Sequence, residues 1–212
     1  MGRQRLTCGL ALAAAAYALA GCTATDTAAP VPARADILDG PHPTAVLEVE
    51  GLGTISIDLL PEVAPQAVER FTAVANEGFY DGTTFHRVLP GFVIQGGDPL
   101  TRNDDPRDDG KGGHPEGYRD EYNGLSHLRG TLALANKGRR GTATGQFFIV
   151  HGDAPHLDGN YTILGRVSEG IEVVDAVTQL EIDTYGRYGP PNRPYPTSAR
   201  ITSLRVTQPP PS

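Results

Sequence analysis

Between residues 44 and 207 the apolar residues of this chain come in short runs, and most runs end at a glycine or proline turn signal. Residues 54–60 alternate between apolar and polar side chains, as in a strand with one buried face. Pairs such as Pro90-Gly91 separate the runs and are typical of tight turns. Because turn signals recur so often, long helices do not fit between them, and the pattern predicts a mainly β domain.

The individual segments can be placed along the chain from this pattern. Strands are predicted at 45–50, 54–60, 84–89, 92–95, 131–135, 146–151, 162–167 and 199–206. Apolar residues recur with helical spacing at 61–78 and again at 171–180, which predicts two helices. Together the segments predict a closed, eight-stranded antiparallel β-barrel capped by two α-helices.

The amino terminus has the pattern of a secretory signal peptide at residues 1–21. Arg3 and Arg5 precede an apolar, alanine-rich stretch that is too short to span a membrane. The stretch ends in Leu-Ala-Gly-Cys at 19–22, which resembles the bacterial lipoprotein box, whose cysteine becomes the first mature residue and carries the lipid. An ordinary signal peptide with a chance cysteine is the alternative, but the position of Cys22 favours lipidation.

The rest of the chain divides around one folded domain. Residues 22–43 are read as the lipidated Cys22 and a flexible tether, 44–207 as the domain, and 208–212 as a proline-rich tail. Thr23 is not the Asp that commonly retains lipoproteins at the inner membrane, so we expect an anchor in the outer membrane facing the periplasm. Cys8 lies in the discarded segment, which excludes a disulfide and cysteine-based catalysis in the mature chain.

Charge and motif spacing exclude several kinds of ligand. The net charge of −7 is a poor match for nucleic acid, whose phosphates bind clusters of Lys and Arg. The long connection at 98–120 has four aspartates clustered at positions 104, 105, 108 and 109, but they lack the ligand spacing of a calcium loop. A solvated loop is expected instead. We therefore expect no metal, no cofactor and no nucleic acid.

Three sequence motifs contain the candidate functional residues, and they follow one another along the chain. They read FHRVLPGFVIQGGD at 85–98, GTLALAN at 130–136, and GQFFI at 145–149, the last followed by LDG at 157–159 and GRV at 165–167. Over roughly residues 44–207 the chain resembles the cyclophilins, which are barrel-shaped peptidyl-prolyl isomerases. The resemblance implies a folding catalyst that accelerates X-Pro isomerisation in exported or unfolded proteins, and we expect it to act as a monomer.

The isomerisation of an X-Pro bond needs few groups. Amide resonance imposes a barrier of about 18–20 kcal/mol, and no bond is made or broken. A catalyst must hold the proline ring and stabilise the twisted amide. A guanidinium can do this by donating hydrogen bonds to the twisted amide from its planar set of N–H groups. The resemblance assigns this role to Arg87, although a surface Arg paired with a carboxylate would be the ordinary interpretation.

The resemblance also implies which residues bind the substrate. They are Phe92, Val93, Phe148 and Leu157 as the proline pocket, Gln95 and Gln146 through side-chain amides, Ala135 and Asn136 through the backbone, and Tyr161 and His156 at the rim. His156 stands where eukaryotic cyclophilins have a Trp that supports cyclosporin binding, so weak inhibition is implied. His86 is expected to support the site from behind without proton transfer, and the other histidines to lie at the surface.

Two further functions remain open at this point. One is a non-catalytic, proline-binding chaperone or scaffold module on a lipid anchor at Cys22. The other is a barrel lipoprotein that binds a small apolar ligand, in which case the three motifs would be coincidental. Arg87 and the intact pocket residues favour the isomerase, with proline-containing polypeptides as its partners.

Overall fold

The computed structural model of this protein describes residues 40–103, 105–195 and 199–209. The predicted signal peptide, Cys22, most of the tether and the last three residues of the tail lie outside these ranges. Within them, the structure contains no helix long and apolar enough to cross a membrane.

The described domain consists of ten strands and two α-helices. The strands are β1 (Thr44–Val49), β2 (Gly53–Leu59), β3 (Arg87–Leu89), β4 (Val93–Gly96), β5 (Thr131–Leu134), β6 (Phe147–Val150), β7 (Ile163–Glu169), β8 (Ile182–Asp183), β9 (Arg193–Pro194) and β10 (Ile201–Thr207). The helices are α1 (Pro65–Asn76) and α2 (Ile171–Thr178). The mainly β fold class and both helices are confirmed, with α1 beginning later than the sequence predicts because Pro65 occupies its first turn.

Eight of the strands form one antiparallel sheet in the order β10-β1-β2-β7-β5-β6-β4-β3. The sheet curls on itself, but its two edge strands do not pair along their lengths. Among the described residues, the two edges meet at an isolated bridge between Thr84 and Arg200 and at a further backbone bond from Gly82 to Ile201. The prediction of a fully closed barrel is therefore slightly overstated, because β3 is too short to form a continuous ladder with β10.

Helix α1 covers one side of the interior. Its buried residues include Phe71 and Val74, which recur at helical spacing and face the sheet. Gly78, with a φ of +78°, ends the helical run, and the next backbone N–H donates to the carbonyl of Val74. Asn76 exchanges hydrogen bonds with the backbone of Val206, which fastens the end of α1 to β10.

The central strands are buried on both faces, which explains why they read as continuous apolar runs. One face belongs to the interior cluster, which includes Ile94, Leu132, Phe147 and Ile149. The other face belongs to a second cluster, here called the pocket cluster. Its buried members are Val93, Ala133, Phe148, Val150, Ala154, Leu157 and Ile163.

A short hairpin that the sequence analysis did not predict follows α2. Strands β8 and β9 pair as Ile182 with Pro194 and Asp183 with Arg193, apart from the large sheet. Strands of two residues give too little alternation to be recognised in the sequence. The hairpin lies beside β3, where the N–H of Val88 donates to the carbonyl of Asn192 over 2.6 Å.

Candidate active site

The register of four neighbouring strands places the candidate site residues in one row. Arg87 on β3 faces Gln95 on β4, Gln95 faces Phe148 on β6, and Phe148 faces Ala133 on β5. Directly opposed residues of an antiparallel pair lie close enough for their side chains to interact. Residues far apart in the sequence therefore form a continuous surface, with a guanidinium at one end and an aromatic ring near the other.

A tight turn between β3 and β4 positions Phe92 at the edge of this surface. The N–H of Phe92 donates to the carbonyl of Leu89 over 2.9 Å. Between them, Pro90 precedes Gly91, whose φ is +79°, the arrangement that a type II turn requires. The Pro-Gly pair thus sets the point at which the chain reverses and presents the Phe92 ring.

An open pocket of about 260 Å³ lies above the row. The residues that line it are Arg87, Phe92, Val93, Gln95, Ala135, Asn136, Phe148, Leu157 and Tyr161. These are the predicted site residues apart from Gln146 and His156. Tyr161 lies edge-on to Phe148 with ring centroids 5.3 Å apart, so the two rings form a corner in the pocket wall.

Arg87 supplies the cation of the pocket. Its side chain is half-buried, and burial lowers the pKa of its guanidinium below the usual value. Its Nη1 donates to Oε1 of Gln95 at 3.4 Å, and Arg87 forms no salt bridge with any carboxylate in the described part of the chain. Most of its donors therefore remain available to a ligand in a partly desolvated setting, where hydrogen bonds from charged groups are strong.

Two glutamines connect Arg87 to the loop behind the site. Nε2 of Gln95 donates to Oε1 of Gln146 at 2.9 Å, and Nε2 of Gln146 donates to the carbonyls of Gly110 at 3.1 Å and Gly112 at 2.8 Å. The prediction that Gln146 offers its amide to the substrate stays a prediction: its Nε2 is engaged by two carbonyls, and its Oε1 accepts one hydrogen bond from Gln95. Through that bond Gln146 orients Gln95, which in turn orients Arg87.

The backbone on the opposite wall offers fewer groups than predicted. The N–H of Ala135 already donates to the carbonyl of Gln146 over 2.8 Å. Its use for substrate binding is therefore excluded, and only the carbonyl of Ala135 can serve. The side chain of Asn136 donates to the carbonyl of Asn160 over 3.0 Å, which orients this segment. The backbone N–H of Asn136 has no hydrogen-bond partner among the described residues.

His156 lies at the rim and does not line the pocket itself. It is exposed and stacks on Phe92, with ring centroids 5.2 Å apart and an angle of 29° between the planes. Its place on the short 3-10 turn Pro155–Leu157 explains this arrangement, because the turn directs Leu157 inward and His156 outward. His156 can thus contact a ligand that extends beyond the proline pocket.

Two histidines support the site from below. His86 is buried, and burial lowers its pKa to about 4, so its imidazole is neutral near pH 7. His127 was expected at the surface, and this prediction is wrong: its side chain is fully buried and stacks on Phe148 at 6.0 Å. Its Nδ1 bonds Oδ1 of Asp158 at 2.9 Å, which explains how a polar ring is accommodated there.

The acidic loop at 98–120 is only partly solvated, which corrects the prediction. Asp109 is buried against Arg193, with Oδ2 and Nε 3.0 Å apart, and desolvation raises the pKa of this carboxyl to about 6. Asp98 is also buried, and its carboxylate accepts the N–H groups of Leu100 and Gly112. The bond from Leu100 to Asp98 is a local cap two residues away. The spacing of the aspartates gives no sign of the contacts with Arg193 and Gly112, because the tertiary fold supplies those partners.

The geometry can be compared with known proteins at this point. Residues 44–206 match the family described as cyclophilin type peptidyl-prolyl cis-trans isomerase/CLD. Peptidyl-prolyl cis-trans isomerase B of Bacillus subtilis is 44% identical over 133 residues, which are 61% of this chain and 86% of that protein. Peptidyl-prolyl cis-trans isomerase 9 of Schizosaccharomyces pombe is also 44% identical, but the match covers 64% of this chain and only 22% of that longer protein.

Solved structures agree with the sequence comparison. A Cryptosporidium parvum cyclophilin type peptidyl-prolyl cis-trans isomerase, determined in the presence of the dipeptide Ala-Pro, is 27% identical with a TM-score of 0.67. The match covers 78% of this chain and 99% of that one. The family match spans the described sheet as far as Val206, both helices and every residue of the pocket. The chain therefore belongs to the cyclophilin-type peptidyl-prolyl cis-trans isomerases.

Proposed function

We propose that this protein accelerates X-Pro isomerisation in exported or unfolded polypeptides, with Arg87 as the catalytic residue. The observation that carries the assignment is a half-buried guanidinium, free of any carboxylate partner in the described chain, beside an apolar pocket of about 260 Å³. A proline ring fits against Val93, Phe148 and Leu157. The flanking amide then lies within reach of Arg87.

The mechanism follows from differential binding of two states of the same amide. In the planar ground state, the prolyl nitrogen shares its lone pair with the carbonyl and accepts hydrogen bonds poorly. In the twisted state the resonance is lost, and the nitrogen becomes a better acceptor for the Arg87 donors. Because Gln95 and Gln146 hold the guanidinium in advance, little reorganisation is needed when the amide twists.

The decisive experiment is a protease-coupled assay on proline peptides with the purified protein. Arg87→Ala should lower kcat/KM by roughly 10²–10³, the usual cost of deleting one oriented transition-state donor. Arg87→Lys should restore little, because a point charge cannot reproduce the planar fork. Circular dichroism checks that each variant keeps the fold.

Arg166→Ala is the matched control, since Arg166 is an exposed arginine on β7 outside the pocket. It should leave kcat/KM within about two-fold of the native value, as expected for a surface substitution away from the site. A native protein that binds proline peptides without turning them over would favour the scaffold function instead. An Arg87→Ala variant with nearly full activity would move the catalytic role away from this residue.

The cellular setting is proposed from the sequence of the amino terminus. The Leu-Ala-Gly-Cys box at 19–22 supports a lipid anchor at Cys22, with the domain held at the cell envelope on the periplasmic side of the outer membrane. Newly exported chains would then be the polypeptides that reach the pocket. Labelling with a radioactive fatty acid tests the anchor: Cys22→Ala should lose the label, and equal labelling of both forms would contradict it.

A further inference from the structure

A buried ion pair lies outside the proline pocket and takes no direct part in the isomerisation chemistry. Oδ2 of Asp109 and Nε of Arg193 on β9 are 3.0 Å apart, and the side chain of Asp109 is only 1% exposed. Neither residue lines the pocket. Because the desolvation of both charges offsets much of their attraction, a buried pair adds little stability over apolar side chains of similar size. Its effect is therefore expected on the geometry of the two segments that it joins.

Asp109 directly precedes the part of the loop that holds Gln146. Nε2 of Gln146 donates to the carbonyls of Gly110 at 3.1 Å and Gly112 at 2.8 Å. Two buried carboxylates fasten the ends of this pair of carbonyls. Asp109 adjoins Gly110, and the carboxylate of Asp98 accepts the N–H of Gly112 at 3.1 Å. The positions of both acceptors therefore depend on where these carboxylates are held, and Arg193 holds one of them.

The two carbonyls set the direction of every hydrogen bond between Gln146 and Arg87. With Nε2 of Gln146 on the carbonyls, its Oε1 accepts Nε2 of Gln95 at 2.9 Å. Oε1 of Gln95 then accepts Nη1 of Arg87 at 3.4 Å. If the carbonyls moved away and the Gln146 amide turned over, the Gln95 amide would turn as well and present its N–H groups to the guanidinium. Because two donors cannot bond each other, Arg87 would lose this acceptor.

The β8–β9 hairpin connects the same loop to the strand that carries Arg87. Arg193 follows Asn192, whose carbonyl accepts the N–H of Val88 at 2.6 Å. Val88 is the residue after Arg87 on β3. The N–H of Asn192 donates across the hairpin to the carbonyl of Asp183 at 2.8 Å, which fixes this segment in turn. Residues 192 and 193 therefore hold β3 beside Arg87 and, through the ion pair, the loop behind Gln146.

The surroundings of Asp109 make its charge unusually easy to lose. Burial raises the pKa of this carboxyl to about 6, against the lowering effect of the Arg193 charge, and nearby carboxylates raise it further. In the described part of the chain, the charged and titratable groups around it are Arg193, Asp98, Asp105, Asp108 and His86, the last of which packs on Gly110. The ion pair is therefore complete above about pH 7 and loses its negative partner as the pH falls through about 6.

We propose that Asp109, through its ion pair with Arg193, is a positioning residue for the isomerisation. The pair keeps the loop carbonyls on Gln146, and the two glutamines then keep an acceptor on the guanidinium of Arg87 and hold it in line at the pocket. The inference rests on the proposed function, because it takes Arg87 as the catalytic residue. It deepens that function by making the alignment of Arg87 depend on a residue that touches no substrate.

Asp109→Asn tests this role, because it removes the charge and keeps the volume. In an assay on a proline peptide at about pH 8, kcat should fall about 10-fold, less than the roughly 100-fold that a 1 Å misplacement of a catalytic group can cost. KM should stay within about two-fold, because the walls of the proline pocket are unchanged. Circular dichroism checks the fold.

Asp105→Asn is the matched control. Asp105 lies in the same loop, but its ion pair with Arg107, with Oδ1 and Nε 2.7 Å apart, is exposed. Asn also keeps an oxygen that can accept the N–H of Arg107, as Asp105 does at the start of its 3-10 turn. This variant should therefore leave kcat within about two-fold of the native value, as expected for a surface substitution.

A double-mutant cycle with Arg87→Ala separates positioning from general structural damage. If Asp109 acts through Arg87, Asp109→Asn should cause no further loss of kcat in the Arg87→Ala background. A further loss of about 10-fold there, or a kcat within about two-fold of native in Asp109→Asn alone, would overturn the proposal and leave the isomerase function intact. Nearly full activity of Arg87→Ala by itself would instead contradict the proposed function, and the positioning role would fall with it.

The pH dependence of kcat gives a test that needs no stable variant. NMR exchange spectroscopy on a saturating proline peptide measures the rate without a coupled protease. In the native protein kcat should fall about 10-fold between about pH 8 and pH 5 with a midpoint near 6, whereas Asp109→Asn should stay level. The pKa of His86, about 4, lies below this range. A native profile without the fall would overturn the proposal, even if Asp109→Asn does not fold.

Discussion

The central strands β4, β5 and β6 present two apolar faces, and only one of them is filled. On the inner face, Phe147 and Ile149 are fully buried beneath helices and neighbouring strands. On the outer face, Phe148 and Val93 are almost as buried, yet they border an open hollow of about 260 Å³. Both faces therefore hold buried apolar side chains, and what lies above each face distinguishes the core from the site.

The polar groups beneath each face also differ in kind. The interior holds Tyr80 and Tyr118, and the hydroxyl of Tyr80 donates to the carbonyl of Gly145 over 3.0 Å. The outer face is supported by the His127–Asp158 pair and bordered by Arg87. The interior thus uses neutral hydroxyls that complete the packing, whereas the pocket uses groups that position a cation and the rings around it.

Neighbouring phenylalanines on β6 give the sharpest test of this comparison. Phe147→Ala should destabilise the protein by about 3–5 kcal/mol, since Phe71, Tyr80 and Phe85 surround its ring. Phe148→Ala should cost less stability, because one side of its ring faces the hollow, but should lower kcat/KM about 10- to 100-fold through lost contact with the proline.

Denaturant unfolding measures the stability change, and the protease-coupled assay on fully folded protein measures the activity. The expected result is a crossing pattern, in which the variant that loses more stability loses less catalysis. Equal effects of the two substitutions on both measurements would show that the two faces are not functionally distinct.

A larger side chain should be tolerated at the open rim of the pocket but not in the packed interior. His156→Trp should leave the free energy of unfolding nearly unchanged, because His156 is exposed and packs against Phe92 at the rim. In the resembled family a Trp at this place supports cyclosporin binding. We therefore expect the native protein to resist cyclosporin and His156→Trp to bind it about 30- to 1000-fold more tightly, equivalent to about 2–4 kcal/mol.

Isothermal titration with cyclosporin measures the affinity, and turnover of a proline peptide should change only modestly. Phe147→Trp is the matched enlargement on the inner face and should cost about 1–3 kcal/mol of stability through overpacking. Tight cyclosporin binding by the native protein would contradict this account of position 156.

The smallest expected effects are on the pH dependence of stability, which should differ between the titratable groups of the outer face and those of the inner face. Burial lowers the pKa of His127, and the hydrogen bonds from His127 lower the pKa of Asp158. The unfolded chain therefore binds more protons in acid, so the stability that this pair contributes is present above about pH 6.5 and is lost as the pH falls. Burial raises the pKa of Tyr118 to about 12, so its contribution is present below pH 10 and is lost as the pH rises.

His127→Asn should therefore flatten the acid side of a plot of Tm against pH, and Tyr118→Phe the alkaline side. At pH 7 the Tyr118→Phe change should cost about 1 kcal/mol or less, the usual net contribution of one hydrogen bond. Because the pKa of His86 is lowered to about 4, some acid sensitivity should remain in His127→Asn. A variant that alters the opposite side of the plot would contradict the assignment.

The sequence predicted more of the fold than of the site. Alternation and turn residues located the eight strands of the sheet and the two helices, because each signal is contained within a few neighbouring residues. Pro90-Gly91 predicted its turn for the same reason, and the three ordered motifs indicated the family. The β8–β9 hairpin was missed, since two-residue strands leave no periodic signal.

The site was predicted as a set of residues but not as a set of roles. Gln146 was predicted to bind the substrate, and only the positions of Gly110 and Gly112 show that its Nε2 also holds the loop behind the site. His127 was placed at the surface, because a lone polar residue in a loop gives no sign of the aromatic ring that covers it. Both findings concern a partner that lies far away in the chain.

The sequence by itself determined that β4, β5 and β6 are apolar on both faces, and it supplied Arg87, Gln95 and Phe148. The tertiary structure alone decided that the register aligns these three in one row, that helices cover the inner face, and that the outer face remains open. The physical reason is that side-chain alternation depends on neighbours in the chain. Register, cover and cavities depend on which distant strands meet, and that is settled only when the sheet curls.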